Sequence, residues 1–201
     1  MNVRKIAQDV ARTKGGVART ADFVVAGIRA ADVAKLCEEG RLKRVRHGYY
    51  SVAGPNCASE EQLLAALIPR AVVCMESALF HYGYSDFVPR MWSIAVPRTM
   101  TRTKLNVNAL MLRPYYASPD LYELGRTTGV FNGVVLPVYD RERTICDCFK
   151  RRGELDREVF NKAVVAYVND DDKNLANLSR YAKTLRVYKK VSELTEVLLN
   201  G

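Results

Sequence analysis

Apolar positions lay out helices at the start of the chain. Val3, Ile6, Ala7 and Val10 return at helical spacing and give residues 3–12 one apolar stripe. Gly15 and Gly16 break that pattern. Thr20 then stands where an N-cap belongs, ahead of a short helix through Phe23, Val24 and Val25. Gly27 permits a tight turn, and Ile28 is placed to plug the core beside it. A third helix is expected from Arg29 to Glu39, with Val33, Leu36 and Cys37 inward and Ala31, Lys35 and Glu38 outward. Gly40 follows as a good residue to end it.

The next stretch, EEGRLKRVRHGYYSV, changes character. Leu42 and Val45 anchor a strand, and Gly48 supplies a turn into Tyr49–Val52. Lys43, Arg44, Arg46 and His47 crowd toward the tip of the resulting hairpin. Two helices around a glycine turn, followed by a hairpin, make a winged helix-turn-helix. The second helix of such a pair enters the major groove with its N-terminal residues leading. Here that places Arg29 and Ala31 at the groove, with Lys35 one turn later. Small alanines allow close approach and contact with thymine methyl groups. Asp32 either accepts from cytosine or serves the helix N-terminus. Lys43, Arg44, Arg46 and His47 on the wing would neutralise phosphates or enter the minor groove.

Gly54-Pro55-Asn56 punctuates the chain, so the expected domains are residues 1–53 and residues 54–201. Ser59 opens a helix with Leu63, Leu64, Leu67 and Ile68 as its stripe, and Glu76–Tyr82 is another, ended by Gly83. Trp92, Ile94 and Val96 alternate, as do Leu105, Val107, Ala109 and Met111, and both series predict strands. Asn132-Gly133 between two apolar runs is a hairpin signal. The remainder is expected to be helical. Its stripes are Leu155 to Tyr167, then Leu175, Leu178, Tyr181 and Leu185, then Val191, Leu194, Val197 and Leu198. The fold class is therefore α+β: a winged helix-turn-helix, then a larger domain with a small, mostly antiparallel sheet and several helices.

Charge sharpens the first part of this picture. Residues 1–52 hold 11 Lys or Arg against 5 Asp or Glu, a net of +6, whereas residues 53–201 hold 20 against 17, a net of +3. Most of the excess thus falls in a quarter of the chain, which points to a polyanionic partner there. No apolar run reaches the roughly 18 residues of a membrane span. The start, MNVRKIAQDVAR, lacks the continuous apolar core of a secretory signal, so a cytoplasmic protein is expected. Cys146 and Cys148 miss the CxxC spacing, and His47 and His81 are the two histidines, so neither a metal site nor a cofactor is expected. Free and mostly buried thiols are the expectation for all five cysteines.

GGVARTADFVVAGIRAADVAKLCEEGRLKRVRHGYYSV resembles the N-terminal domain of AbiEi-family antitoxins, through Gly40, Leu42, Arg44, Val45, Arg46, Gly48 and Tyr50. ESALFHYGYSDFVP, WSIAVPR and DRERTICDCFKRRGELD look like blocks of that family's second domain. The resemblance implies a bacterial type IV antitoxin, from systems of phage abortive infection, that also represses its own operon. Its winged domain would bind inverted repeats in promoter DNA. Its C-terminal domain would counteract a nucleotidyltransferase-like toxin, without a stable complex in many systems. The family's basic DNA contacts carry over to Arg44 and Arg46, while Lys35 and Lys43 follow from charge and position. Ala30-Ala31 stands where polar residues are common in the family, so the base sequence read here should differ.

Two other classes remain open. A ligand-responsive regulator would need a deep apolar pocket in the second domain. A DNA-processing enzyme would need Asp120 or the Asp170–Asp172 run. Against catalysis, the chain has no GxSxG elbow, phosphate-binding glycine loop or HExxH helix. His81 reads as a packing histidine. The clusters Arg98, Arg102 and Lys104; Arg141 and Arg143; and Lys150, Arg151 and Arg152 would matter if the fold brought two of them together.

Overall fold

A computed structural model of the chain describes residues 3–193. Contacts divide it into two compact units, Met1–Pro69 with Arg102–Met111, and Arg70–Thr101 with Leu112–Gly201.

The first unit opens with α1 (Val3–Thr13), β1 (Val17–Arg19), α2 (Thr20–Val25) and α3 (Ala30–Glu38). The hairpin β2 (Leu42–Arg46) and β3 (Tyr49–Val52) follows. The three strands form an antiparallel sheet in the order β1-β3-β2. The three expected helices are present; β1, only three residues long, carries no readable periodicity. Its Arg19, rather than Thr20, is the N-cap of α2, and the Asp22 carboxylate accepts the Arg19 backbone N–H at 2.7 Å. Ala7, Ala11, Ala18, Phe23, Ile28, Val33, Leu36 and Leu42 make one buried core, with Tyr50 packed against it. Phe23 is fully buried and meets Tyr50 edge-on at 6.0 Å.

This sheet has a second face to cover. Val17 and Ser51 lie opposite each other, and both are buried, as is Val45. Helix α4 (Glu60–Leu67) packs against β1, so the first unit continues past the break expected after residue 53. Ser59 caps α4 as expected, in a capping box with Gln62. Residues 102–111 also belong to this unit. They hold α6 (Arg102–Leu105) and a loop, not the expected strand. Val107 and Leu110 are the buried positions there, a spacing of three that no strand produces.

The second unit is built on a five-stranded sheet, ordered β6-β5-β4-β8-β7. Its strands are β4 (Val72–Val73), β5 (Trp92–Pro97), β6 (Leu112–Ala117), β7 (Arg126–Phe131) and β8 (Val134–Tyr139). The α+β class holds, but this sheet is mixed where a mostly antiparallel one was expected: β5 with β6 and β4 with β8 are parallel pairs. Parallel neighbours need long crossovers. Residues 98–111 supply the one between β5 and β6. Pro114 hides β6 in the sequence, and it is tolerated because β6 is an edge strand. Asn132 and Gly133 turn the β7–β8 hairpin with φ of 46° and 80°, the positive pair a type I′ turn requires.

Helices α5 (Met75–His81), α8 (Arg141–Lys150), α9 (Arg157–Val168) and α10 (Leu175–Thr184) pack with the sheet, and a short α7 (Pro119–Glu123) precedes β7. Every residue of α8 from Glu142 to Phe149 is buried. The last expected stripe begins in a helical segment at 188–193 with buried Val191; Leu194, Val197 and Leu198 lie outside the described residues. Cys74, Cys146 and Cys148 are buried, Cys57 is exposed, and all five thiols are unpaired. Among the described residues no helix is long and apolar enough to cross a membrane.

Candidate nucleic-acid interface

The turn between α2 and α3 is set by local chemistry. Gly27 has φ of +80°, and the amides of Gly27 and Ile28 reach back to the carbonyls of Val24 and Phe23 at 3.0 and 2.9 Å. That is a Schellman end, with Ile28 and Phe23 closing its apolar contact inside the core. The expected roles of Gly27 and Ile28 are met. Helix α3 ends the same way, Arg41 N–H bonding Leu36 O at 2.8 Å and Gly40 N–H bonding Cys37 O at 3.0 Å.

Between these ends, Val33 and Leu36 are buried, while Ala30, Ala31, Ala34, Lys35 and Glu38 make a bare outer face. Arg29 is the N-cap of α3, and its guanidinium grips the Asp32 carboxylate in two bonds, at 2.9 and 3.1 Å. The Arg29 bonds hold the Asp32 carboxyl below the ordinary carboxylate range and raise Arg29 in turn. Asp32 thus neutralises Arg29 in the free protein. This pair is solvent-exposed and of the kind worth little net energy, so a phosphate can replace it. Lys35 reaches Glu39 only at 4.0 Å. Val24 and Val25, at 55% and 90% exposure, add apolar surface beside the turn that a six-residue helix gave no pattern to reveal.

The wing departs from the expected arrangement. Gly48 turns it with φ of +74°, and its carbonyl accepts the Thr20 N–H at 3.0 Å, which ties the tip to the start of α2. Arg44 lies opposite Tyr50, but Arg46 lies opposite Tyr49, so Val45 is an extra residue, a bulge. Side chains alternate along a strand, so the bulge sends the two arginines to opposite faces. Arg44 shares the face of Leu42, Tyr50 and Val52, beside α3. It is exposed, and its guanidinium donates to Nδ1 of His47. Arg46 takes the other face, half-buried, where it donates to the carbonyls of Leu67 and Lys104 at 3.4 and 3.5 Å. Its guanidinium is engaged within its own unit. Lys43 is exposed. Arg19, unread in the sequence because β1 is so short, stacks over Tyr49 at 5.4 Å and adds a cation near the tip.

Cys37 lies at the edge of this region. Burial pushes its thiol up, with Arg44 pulling the other way. Arg29, Ala31, Lys35, Lys43, Arg44 and His47 are all exposed, Arg44 and His47 are in contact, Lys43 lies on the other face of the hairpin, and Arg46 is half-buried.

The carboxylates considered for catalysis do not converge. Asp120 lies exposed in the first turn of α7. Asp170 and Asp172 both bind Arg141, at 3.0 and 2.9 Å, and Asp170 also accepts the Tyr84 hydroxyl. Burial opposes ionisation of Asp170, but the bonds from Tyr84, the Asp172 amide and Arg141 outweigh it and hold the carboxyl low. Among the described residues, no three His, Cys, Asp or Glu side chains are grouped to hold a metal ion. His81 is a packing residue, stacked on Phe131 at 4.1 Å.

Residues 5–53 match the family model described as "Transcriptional regulator, AbiEi antitoxin". That segment covers α1 through the wing, and the description agrees with the resemblance read from the residues. The whole fold is similar to the crystal structure of the RV2827C protein from Mycobacterium tuberculosis, with a TM-score of 0.69 over 96% of this chain and 75% of that one, at 18% identity. No curated protein matches the chain.

Proposed function

We propose that this protein, whose N-terminal segment matches the AbiEi antitoxin regulators, is an antitoxin that represses its own operon. The observation that carries the reading is the packing of α3 on β2, which sets Arg44 of the wing close to Cys37 of that helix. Helix α3, whose small-residue outer face is flanked by Arg29 and Lys35, packs against β2, from which Arg44 projects on the α3 side with His47 bonded to it. Alanines admit the helix to the major groove and apolar contacts to thymine, while the wing cations neutralise phosphates. The target is double-stranded promoter DNA carrying inverted repeats. Counteraction of a nucleotidyltransferase-like toxin falls to the part of the chain after residue 53. No step in this reading is catalytic.

The test uses the full chain. Replacing Arg44 and His47 together by Ala should abolish retention of the promoter and derepress a reporter. Rescue of growth against the co-expressed toxin should persist. Promoter retention unchanged by the double substitution removes the wing from the mechanism. Growth arrest despite expression of folded wild-type protein removes the antitoxin half.

A further inference from the structure

Three basic clusters that are separate in the sequence contribute to one crevice in the second unit. Arg98 arrives from the end of β5, Arg143 and Lys150 from α8, and Arg151 from its C-cap. The crevice holds about 190 Å³, and its floor is formed by Cys74, Ala95 and Tyr139, all almost wholly buried. Asp147 is the one carboxylate in the lining, and it is bound by Arg143 at 3.0 Å. Arg143 also donates to the carbonyls of Leu121 and Leu124, so that pair is spent on structure.

Of the remaining cations, Arg151 is paired, and Arg98 and Lys150 are not. Arg151 lies over the Tyr115 ring at 4.6 Å and shares its charge with Glu154 at 2.8 Å. Neither Arg98 nor Lys150 has an ion-pair partner among the described residues. Lys150 and Arg151 at the end of α8 suit the helix dipole, which accounts for their presence there. It does not account for Arg98, which comes from another element and converges on them. Burial lowers the Lys150 ammonium, and the nearby Arg143, Arg151 and Arg186 lower it further, against the pull of Asp147. Tyr115 and Tyr116 wall the same crevice, and their hydroxyls are buried away from it.

We propose that this crevice binds a phosphate group, free or as the head of a small phosphorylated metabolite, through Arg98, Lys150 and Arg151. The volume suits a phosphoryl group with a short attachment and is too small for a nucleoside as well. The recessed floor separates it from a duplex surface, whose phosphates lie along an open backbone. Charge-assisted bonds from Arg and Lys to phosphate oxygens are the strong kind.

The full-length chain is titrated with inorganic phosphate, with a three-carbon phosphomonoester and with a 5′-phosphorylated oligonucleotide, at constant ionic strength set with chloride. Binding is followed by calorimetry and by ³¹P line width. Saturable binding of either small ligand is expected, weakened at least about tenfold in the Arg98→Ala/Lys150→Ala variant. The Arg98→Lys/Lys150→Arg variant should retain it. Both substituted positions are exposed, and the circular dichroism and promoter retention of the variants should match those of the wild type, so a loss of binding is not a loss of fold. Tighter binding of the phosphomonoester identifies a metabolite head group; tighter binding of phosphate identifies the free anion. The proposal is overturned by an absence of saturable binding, by equal binding in the alanine variant, or by preference for the oligonucleotide over both small ligands.

Discussion

Arg44 and Arg46 are two residues apart in β2 and point to opposite faces of the sheet, because Val45 is bulged between them. One guanidinium is exposed and bonded to His47, and the other donates to carbonyls of its own unit. The two substitutions should therefore be distinguishable. Arg44→Ala is expected to reduce the slope of log affinity against log salt by about 0.9, as for one lost phosphate contact. Arg46→Ala is expected to leave that slope in place and to cost about 0.5–1.5 kcal/mol of stability through its lost hydrogen bonds. Fluorescence anisotropy from low to moderate salt, beside urea unfolding, checks both. An Arg46→Ala slope change equal to that of Arg44→Ala would return Arg46 to the interface.

Phe23 joins the helix pair to the wing, since it touches both the Schellman contact with Ile28 and the Tyr50 ring. Phe23→Ala should destabilise the first unit by about 3–5 kcal/mol, from lost burial and a cavity that rigid neighbours cannot refill. The expected result is loss of cooperative unfolding for that unit together with loss of DNA binding. A loss of binding with unchanged unfolding would instead make Phe23 a contact residue.

In the second unit, Arg143 is nearly buried and held by Asp147, by two carbonyls and by the Tyr139 ring at 4.2 Å. Arg143→Ala leaves the Asp147 carboxylate buried without its partner and is expected to cost about 3–5 kcal/mol. Burial already raises the Asp147 carboxyl above its usual value, against the pull of Arg143. Chemical denaturation at pH 7 measures the effect. A change within about 0.5 kcal/mol, typical of a surface site, would show the pair to be dispensable.

His81 sets a pH dependence whose sign follows from its surroundings. Burial first, and the Arg141 charge second, hold its imidazole below the ordinary 6.5. Between that value and its folded one, the unfolded chain binds a proton that the folded chain refuses. The contribution to stability is therefore complete above pH 6.5 and lost as pH falls through that window. His81→Gln should flatten the acid side of the stability profile of the second unit between pH 7.5 and 5.5. An unchanged profile would assign that acid sensitivity to other groups.

Local rules made much of the first unit legible. Helical spacing, Gly27 with Ile28, Gly40 and Gly48 act over a few residues, so α1, the α2–α3 pair and the hairpin follow from the chain alone. Ser59 with Gln62 and Asn132-Gly133 are legible for the same reason. What escaped depends on partners distant in sequence. Strand β1 exists because β3 accepts it, and β6 forms despite Pro114 because it lies at a sheet edge. Val107 and Leu110 are buried in a loop where alternation had promised a strand. Residue types and net charge pointed to a cationic hairpin beside a helix, but they do not say which way each cation faces. One bulged residue reverses the side-chain alternation, so only the folded strand pairing could send Arg44 outward and Arg46 back, and only packing could bring Arg98 to Lys150 and Arg151.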